Sequence, residues 1–243
     1  MTKDTLYALG SAGSGPFEFT EEVARVFPDM LKRSIPGYAA SIQGIGTLAA
    51  SLVQENSRCY DLGCSLGAAT RAMRRNITVE GCRIVAVDNA PAMVRRCREM
   101  LAADSKAGPA EVSVVQADLQ DVEITRASMV VMNYTLQFLP LEQRPAMIRK
   151  IAKGMIPGGI LVLSEKVVDQ DESVEETLVN LHHEFKRRNA YSDLEISRKR
   201  KALENVLVPE TIGDHEQRLY DAGFSHVGIW LRYFNFISII AIR

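Results

Sequence analysis

The sequence predicts an α/β protein built on a doubly wound, Rossmann-like parallel sheet. Three observations support this fold class. Strand and helix patterns alternate five times between residues 58 and 164, the strands read as nearly unbroken apolar runs, and the first strand ends in a glycine-rich turn. With 243 residues, 47% of them hydrophobic, the chain suits one such domain with added helices, and we expect a single domain over residues 1–243.

The first 55 residues are expected to form an N-terminal arm and a helical cap. The start of the chain is polar and rich in glycine, which predicts a loose arm. Thr20 is a suitable N-cap for the first helix, and Pro36-Gly37 breaks the chain before the second. The predicted parts are an arm at residues 1–17 and helices at 19–31 and 39–53.

The middle of the chain carries the alternating elements. Pro91 is suitably placed in the first turn of a helix, and Pro157 with two glycines ends another. The five strands are predicted at 58–62, 82–88, 112–118, 128–133 and 160–164, and the helices between them at 66–76, 91–103 and 141–154.

A charged and mostly helical insertion, residues 170–206, is predicted after the fifth strand. A helix at 211–222 follows it. The last two strands, 226–233 and 235–242, are close enough in sequence to form an antiparallel hairpin at the edge of the sheet.

Charge and cysteine content exclude several classes of protein. The 29 basic and 30 acidic residues nearly cancel, so we expect no direct binding of nucleic acid. No apolar run approaches the ~20 residues needed to cross a bilayer, which predicts no membrane contact. The cysteines form no C-x-x-C pair, which favours buried thiols in the reducing cytoplasm. They are Cys59, Cys64, Cys82 and Cys97.

Polar residues at three successive strand ends predict a nucleoside site. Gly63 and Gly67, after the first strand, let the chain approach a ligand closely and present free backbone N–H groups. Asp88 ends the second strand, 21 residues after Gly67, and can hold ribose hydroxyls. Asp118 ends the third strand and can accept from an adenine amino group. The alternative for both carboxylates is N-capping of the following helices, which does not exclude binding.

The glycine turn also permits two other interpretations. Gly63-Cys64-Ser65-Leu66-Gly67 matches the G-x-S-x-G elbow of hydrolases, but it follows the first sheet strand, and the histidines lie in helical or edge segments. A nicotinamide dehydrogenase would need a strict G-x-G-x-x-G and a second half-site, and the sequence offers neither.

The insertion contains two further patterns. His182-His183-Glu184 is not the H-E-x-x-H zinc motif, so we expect no metal site. Six basic residues could contact RNA, but such a run is more typical of a solvated helix face. They are Lys186, Arg187, Arg188, Arg198, Lys199 and Lys201.

Longer segments resemble the carboxy-S-adenosyl-L-methionine synthase family, which has the class I methyltransferase fold. The resemblance runs from about residue 17 to the end of the chain. The segments that carry it are VFPDMLKRSIPGY, YDLGCSLGAAT, VAVDNAPAMVRRC, MVVMNYTLQFL, GGILVLSEK and YSDLEISRKRKALENV.

The resemblance implies a transferase that converts S-adenosylmethionine and prephenate to carboxy-S-adenosylmethionine and phenylpyruvate. A separate enzyme then uses the product to modify wobble uridine in tRNA, and transient contact with that tRNA carboxymethyltransferase is an expectation. The family also implies a homodimer. Residues implied to contact S-adenosylmethionine are Tyr38, Gly63, Cys64, Ser65, Asp88, Asn89, Asp118, Leu119 and Asn133, with Arg200 on the transferred carboxylate.

The pattern around Arg200 agrees with that role. Ile196, Arg200, Leu203 and Leu207 fall on one helical stripe, which predicts that the guanidinium lies on an inward face and needs an anionic partner. The alternatives are a structural pair with Glu204 or extension of the side chain to solvent. The alternative functions are an ordinary methyltransferase and a non-catalytic adenosylmethionine-binding module.

Overall fold

The computed structural model describes residues 2–8 and 17–243, and its seven strands form one sheet. The strands are β1 (Arg58–Leu62), β2 (Arg83–Asp88), β3 (Glu111–Gln116), β4 (Ala127–Asn133), β5 (Met155–Lys166), β6 (His226–Tyr233) and β7 (Phe236–Ile242). Their order across the sheet is β3-β2-β1-β4-β5-β7-β6. Strands β1 to β5 pair in parallel, and β7 pairs antiparallel with both β5 and β6.

Eight α-helices surround the sheet in the described residues. They are α1 (Glu21–Ser34), α2 (Tyr38–Leu52), α3 (Ala68–Asn76), α4 (Pro91–Ala102), α5 (Arg144–Gly154), α6 (Glu172–Arg188), α7 (Asp193–Leu203) and α8 (Ile212–Asp221). The predicted doubly wound fold is confirmed, as is the terminal hairpin with β6 at the edge. The fifth strand is longer than predicted, because the Pro157 turn continues the pairing with β4 at Met155.

The central strands are apolar because helices cover both of their faces. Met132 and Leu163 pack in a core cluster with residues of α5 and α8, while Val131 and Val162 pack in a cluster with residues of α2 and α3. Every residue of β4 except Asn133 is buried. Polar side chains on these strands therefore collect at the strand ends.

The chain direction around the sheet reverses beside β1, which lies between β2 and β4. In open α/β sheets, this reversal opens a crevice at the carboxyl ends of the strands, where ligands bind. We call this region the strand-end crevice. The ends of β1, β2, β4 and β5 border it, together with the cap helices α1 and α2.

The prediction of a loose arm is wrong for residues 2–8, which pack against α1 and the insertion. Asp4 is 1% exposed, its amide donates to Asp29 Oδ2 at 2.7 Å, and Tyr191 donates its hydroxyl to the Asp4 carboxylate. Arg33 Nη1 donates to the Asp4 carbonyl at 3.0 Å. These partners are distant in sequence, so local polarity could not reveal the packing. The rest of the predicted arm, residues 1 and 9–16, lies outside the described residues.

The insertion consists of α6 and α7, each begun by a side-chain cap. Asp171 accepts from the amides of Ser173 and Val174, and Ser192 forms a capping box with Glu195. Within the part of the chain that the structure describes, no helix combines the length and apolar character that a membrane crossing requires.

Candidate functional site

The turn after β1 requires glycine at two positions. Gly63 has φ +77°, and a Cβ atom there would lie 2.4 Å from the side chain of Thr135. Gly67 has φ +75°, and its Cβ would lie 2.8 Å from Cys97 Sγ. Any other residue would be strained in this left-handed conformation and would also clash. The glycines therefore bring the turn close to both the loop after β4 and α4.

The backbone amides of this turn are already hydrogen-bonded within the protein. Gly63 and Cys64 both donate to the Val87 carbonyl at 2.8 Å, and Ser65 donates to Asp88 Oδ2 at 2.9 Å. The prediction of free N–H groups is thus wrong for these three residues. The bonds instead fix the turn against β2, and any backbone contact from the three to a ligand would use their carbonyl oxygens.

Asp61, for which the sequence predicted no role, links the two ends of the glycine turn. Its Oδ2 accepts from the Thr70 amide at 2.8 Å and from the Thr70 hydroxyl, which ties the end of β1 to the start of α3. Burial raises the pKa of the Asp61 carboxyl to about 6. The sequence signal for this structural role was that Asp61 lies two residues before Gly63, at the start of the glycine motif.

Asp88 lies where the sequence predicted it, at the end of β2. It is 9% exposed, Oδ1 accepts from the Ala90 amide at 2.9 Å, and Oδ2 accepts from Ser65. Burial raises the pKa of this carboxyl. The carboxylate bonds the amide of Ala90, which precedes α4, but the N-cap of α4 is Ala90 itself and no side chain caps it, so the capping alternative is wrong for Asp88. The carboxylate also retains acceptor capacity, because each carboxylate oxygen has two lone pairs.

The ends of β2 and β3 meet through Asn89 and Asp118. Asn89 Nδ2 donates to Asp118 Oδ1 at 2.8 Å, and both residues are exposed. Leu119 differs from its neighbours: its side chain is 8% exposed within the main core cluster, and its carbonyl accepts from Lys150 at 3.3 Å. Leu119 can therefore offer a ligand only its backbone amide.

Tyr38 and Asn133 face the same crevice from opposite sides. Tyr38 is the first residue of α2, following Gly37 in the left-handed conformation, and Asn133 ends β4. Ser41, one turn into α2, donates its hydroxyl to Asn133 Oδ1 at 3.3 Å. Burial, followed by the charge of Asp61, raises the pKa of the Tyr38 hydroxyl. Ser41 was not predicted, although its spacing of three from Tyr38 places both on one helix face.

A row of rings, which we call the aromatic wall, leads from Tyr38 to the insertion. The centroids are 6.4 Å apart for Tyr38 and Tyr134, 6.0 Å for Tyr134 and Phe236, and 4.8 Å for Phe236 and His182. His182 Nε2 lies 2.8 Å from the Ser34 carbonyl, and burial lowers its pKa to about 2, so the imidazole is neutral. The wall thus consists of Tyr38, Tyr134, Phe236 and His182.

The predicted inward stripe of Arg200 is wrong. Ile196 and Lys199 are the buried residues of α7, whereas Arg200 is exposed and Leu207 lies beyond the helix, which ends at Leu203. Lys199 turns inward because its Nζ donates to Ser34 Oγ at 3.0 Å and lies over the Tyr191 ring. Both partners, Ser34 and Tyr191, lie outside α7. Their contacts put Lys199, and not the predicted Arg200, on the buried face of the helix.

Arg200 nevertheless lies within electrostatic range of Lys166 and Lys186. Burial lowers the pKa of Lys166, at the end of β5, and the charge of Arg200 lowers it further against the opposing effect of Glu175. Burial also lowers the pKa of Lys186 to about 7, with contributions from Lys199, Lys166 and Arg200. We call Lys166, Lys186, Lys199 and Arg200 the cationic cluster.

The cationic cluster is short of negative charge. Among the described residues, no carboxylate forms an ion pair with the side chain of Lys166, Lys186 or Arg200, and the alternative pair of Arg200 with Glu204 is not formed. Neither Lys166 nor Lys186 was a predicted site residue. For Lys166, the available signal was a lysine ending an otherwise buried strand.

The basic run of the insertion divides into two sets. Arg187 and Arg188 are exposed and pair with Glu184, as expected for a solvated helix face. Lys201 is also exposed.

The interpretation as a solvated face is wrong for the other three basic residues of the run. Lys186 is half-buried and Lys199 is 7% exposed. Arg198 is half-buried and donates to the Tyr7 carbonyl at 2.9 Å.

Comparisons with known proteins agree with this arrangement. A family model described as a methyltransferase domain matches residues 60–159. The carboxy-S-adenosyl-L-methionine synthase of Photorhabdus laumondii is 50% identical over 241 residues, covering 99% of this chain and 95% of that protein. The synthase of the same name from Yersinia enterocolitica is 52% identical, covering 99% of this chain and 90% of that protein.

A solved structure shows the same fold. Human N-acetylserotonin methyltransferase in complex with SAM superposes with a TM-score of 0.60 at 14% identity, covering 92% of this chain and 55% of that chain. The close relatives match over nearly the whole length, including the cap and the insertion. The chain therefore belongs to the carboxy-S-adenosyl-L-methionine synthase family.

Proposed function

We propose that this protein transfers a carboxyl group from prephenate to the methyl carbon of S-adenosylmethionine, which yields carboxy-S-adenosylmethionine and phenylpyruvate. The names of the close relatives support the product, and the family resemblance supplies prephenate as the carboxyl donor. The product would serve a separate enzyme that modifies wobble uridine in tRNA.

The observation that carries the proposal is the cationic cluster beside the strand-end crevice. Ser164 and Asn133 are paired in register on β5 and β4, and Lys166 is two residues beyond Ser164 on the same face. The Cα atom of Lys166 therefore lies roughly 7 Å along β5 from that of Ser164, which pairs with the strand end at which a sulfonium would lie. A sulfonium repels positive charge, so the cluster fits a dianionic second substrate better than a neutral methyl acceptor.

The proposed reaction balances without a further reagent. Prephenate loses carbon dioxide and hydroxide as its ring becomes aromatic in phenylpyruvate. The hydroxide takes a proton from the sulfonium methyl group and leaves as water. The resulting carbanion is acceptable because the adjacent sulfonium makes it a neutral ylide, and it forms the new carbon–carbon bond with carbon dioxide.

The buried carboxyl of Glu165 is not aligned to take that proton. Glu165 is fully buried and, by strand alternation, faces away from Ser164 and Lys166. Its Oε1 accepts from the Leu136 amide at 3.1 Å, and burial raises its pKa to about 8. This position supports a structural role for Glu165 and leaves the departing hydroxide as the proton acceptor.

The strand-end residues would divide the nucleoside between them. Asp88 and Asn89 would bind the ribose, Asp118 and the Leu119 amide the adenine, and the turn of Gly63, Cys64 and Ser65 the methionine portion. Tyr38 and Asn133 would lie beside the sulfonium. Arg200, which is exposed and whose charge acts on Lys166 at the end of β5, would bind the transferred carboxylate, since a guanidinium matches a carboxylate in a bidentate pair.

Mass measurement of small molecules tests the proposal directly. We expect the purified protein, incubated with S-adenosylmethionine and prephenate, to release a nucleoside one carbon dioxide heavier than S-adenosylmethionine. Omission of prephenate is the control and should yield none of it. Appearance of the demethylated thioether instead would identify an ordinary methyltransferase, and absence of any product would favour a non-catalytic binding module.

The assembly and location belong to the same proposal. Val174 and Leu181 on α6 are 42% and 41% exposed, and Leu194 on α7 is 55% exposed, which supports a homodimer through the insertion. Sedimentation of the protein with Leu181→Asp would then show dissociation. The four cysteines are free and buried, which suits the cytoplasm, where the downstream tRNA carboxymethyltransferase would receive the product.

A further inference from the structure

The proposed function uses the charge of the cationic cluster but assigns no ligand group to two of its lysines, Lys166 and Lys186. Lys166 is the last residue of β5 and pairs in register with Phe236 of β7. Lys186 is one helical turn after His182 on α6, so the two share a helix face. Because the His182 ring lies 4.8 Å from that of Phe236, both lysines lie next to the same end of the aromatic wall.

These lysines differ from Lys199, whose ammonium has partners. Lys199 Nζ donates to Ser34 Oγ at 3.0 Å and is influenced by the Asp4 carboxylate. No described group within hydrogen-bonding distance accepts from Lys166 Nζ or Lys186 Nζ, and no described carboxylate pairs with either. Partly buried cations that repel each other are costly unless an anion joins them. Their arrangement therefore indicates a bound anion.

The proposed substrate, prephenate, has a second carboxylate that is not transferred. Both carboxylates of prephenate are attached to the same ring carbon, one directly and the other through a two-carbon keto chain. Only the first is transferred, and the second remains on phenylpyruvate. Such a molecule needs two adjacent cationic binding sites. Arg200 on α7 is close enough to Lys166 and Lys186 for its charge to lower the pKa of both, so the cluster can supply two such sites.

We propose that Lys166 and Lys186 bind the carboxylate that stays on the keto-acid product, while Arg200 receives the carboxylate that leaves. This inference rests on the function proposed above and assigns a specificity role within the same site. With the keto acid held at the lysines, its ring packs on Phe236 and Tyr134, and planar ring contacts of this kind are favourable. The fragment that loses carbon dioxide thus stays in place until the new bond forms.

Binding of the keto acid should be coupled to proton uptake. Lys186 is poised near neutrality because burial and neighbouring cations lower its pKa to about 7, and an anion beside it would raise that pKa. The charged or titratable groups around the two lysines are Glu175, His182 and His183 on α6, Lys199 and Arg200 on α7, and Arg33 on α1, whose guanidinium bonds the Asn189 and Ala190 carbonyls. His182 and His183 have lowered pKa values, so protons taken up above neutrality go to lysine.

Phenylpyruvate is the probe that isolates the proposed lysine binding site, because it retains only the second carboxylate. Calorimetry on the full chain saturated with S-adenosylmethionine would measure its affinity in two buffers of different ionisation enthalpy. We expect Lys186→Met and Lys166→Met each to weaken phenylpyruvate binding at least tenfold, with unchanged affinity for S-adenosylmethionine. Lys201→Met, an exposed lysine of α7, is the matched control and should bind as the wild type does.

Two further readouts separate this role from a structural one. The wild type should take up protons on binding phenylpyruvate at about pH 8, and Lys186→Met should not. Lys186→Arg should restore much of the affinity without proton uptake, because arginine is already protonated. Thermal unfolding should show Lys186→Met to be at least as stable as the wild type, since the variant removes a partly buried cation.

The outcomes distinguish this inference from the proposed function. If the wild type forms no carboxylated product, the function itself fails. If the wild type forms it, but phenylpyruvate either does not bind or binds both methionine variants as tightly as the wild type, the function stands and the lysine assignment is overturned. Loss of thermal stability together with loss of affinity in both variants would indicate a structural role and also overturn the assignment.

Discussion

The two sides of the crevice are built on opposite principles. On the nucleoside side, the polar groups of the glycine turn and of Asp88 already bond one another, with Ser65 donating to Asp88 and Thr70 to Asp61. On the insertion side, Lys166, Lys186 and Arg200 repel one another, and no described carboxylate pairs with them. The polar groups of the first side satisfy one another, whereas the cations of the second side lack a paired carboxylate among the described residues.

This difference bears on how each side contributes to the proposed reaction. Preformed hydrogen bonds fix the nucleoside site at little ordering cost on binding. Repelling cations are unfavourable in the free protein, and a dianionic substrate would relieve that repulsion on binding. Substitutions on the two sides should therefore have separable effects, on nucleoside affinity and on carboxyl transfer respectively.

The largest expected effect is that of Arg200→Ala, which should abolish the carboxylated product. Affinity for S-adenosylmethionine should stay within about tenfold, roughly 1.4 kcal/mol, because the nucleoside side is untouched. Mass-resolved product analysis and calorimetric titration of S-adenosylmethionine measure the two quantities, with Arg188→Ala on the exposed face of α6 as the control. Equal losses in both quantities would show that the two sides are not separable.

Asp88→Ala should be next in size and should affect the other side. The substitution removes the proposed charged contact to the ribose, which costs about 2–3 kcal/mol, or on the order of 100-fold in nucleoside affinity. It also leaves the Ser65 and Ala90 amides without their acceptor, which lowers the stability of the turn. Titration of S-adenosylmethionine and of its demethylated thioether checks this. An unaltered affinity for both ligands would refute the ribose assignment.

A smaller effect is expected in the dependence of stability on pH. Burial lowers the pKa of Lys186 to about 7 and that of Lys199 to about 8, so between these values and their ordinary pKa the unfolded chain holds more protons than the folded one. These two lysines should therefore contribute increasing stability to the ligand-free protein as pH rises above about 7, while Glu165, whose pKa is raised to about 8, contributes in the opposite direction up to that pH. Denaturant unfolding at several pH values would show a smaller gain for Lys186→Met, because other groups titrate alike in both proteins. Parallel curves would mean that Lys186 titrates normally.

Sequence reasoning served the nucleoside side better than the insertion side, for a physical reason. Apolar strands with polar ends are local patterns, and they located Asp88, Asn133 and the glycine turn. The orientation of α7 depends instead on Ser34 and Tyr191, which turn Lys199 inward and leave Arg200 exposed. The same long-range packing buries Asp4, which a polar, glycine-rich context could not indicate.

The glycine turn shows the same limit within a region that was otherwise well predicted. The positions of Gly63 and Gly67 followed from the motif, but their neighbours' amides were expected to be free. They bond instead to Val87 and Asp88 of the adjacent strand, a pairing that depends on the register between β1 and β2. Motif spacing indicates where a ligand can approach, and register decides which atoms remain to meet it.

Carbon tracing tests the central claim that an anionic carboxyl donor completes the crevice. Prephenate labelled with carbon-13 only in its ring carboxylate would be incubated with S-adenosylmethionine and the protein. The account predicts that the label appears in the carboxymethyl group of the nucleoside and that phenylpyruvate forms in equal amount. Label found only in dissolved bicarbonate, with no carboxylated nucleoside, would contradict it.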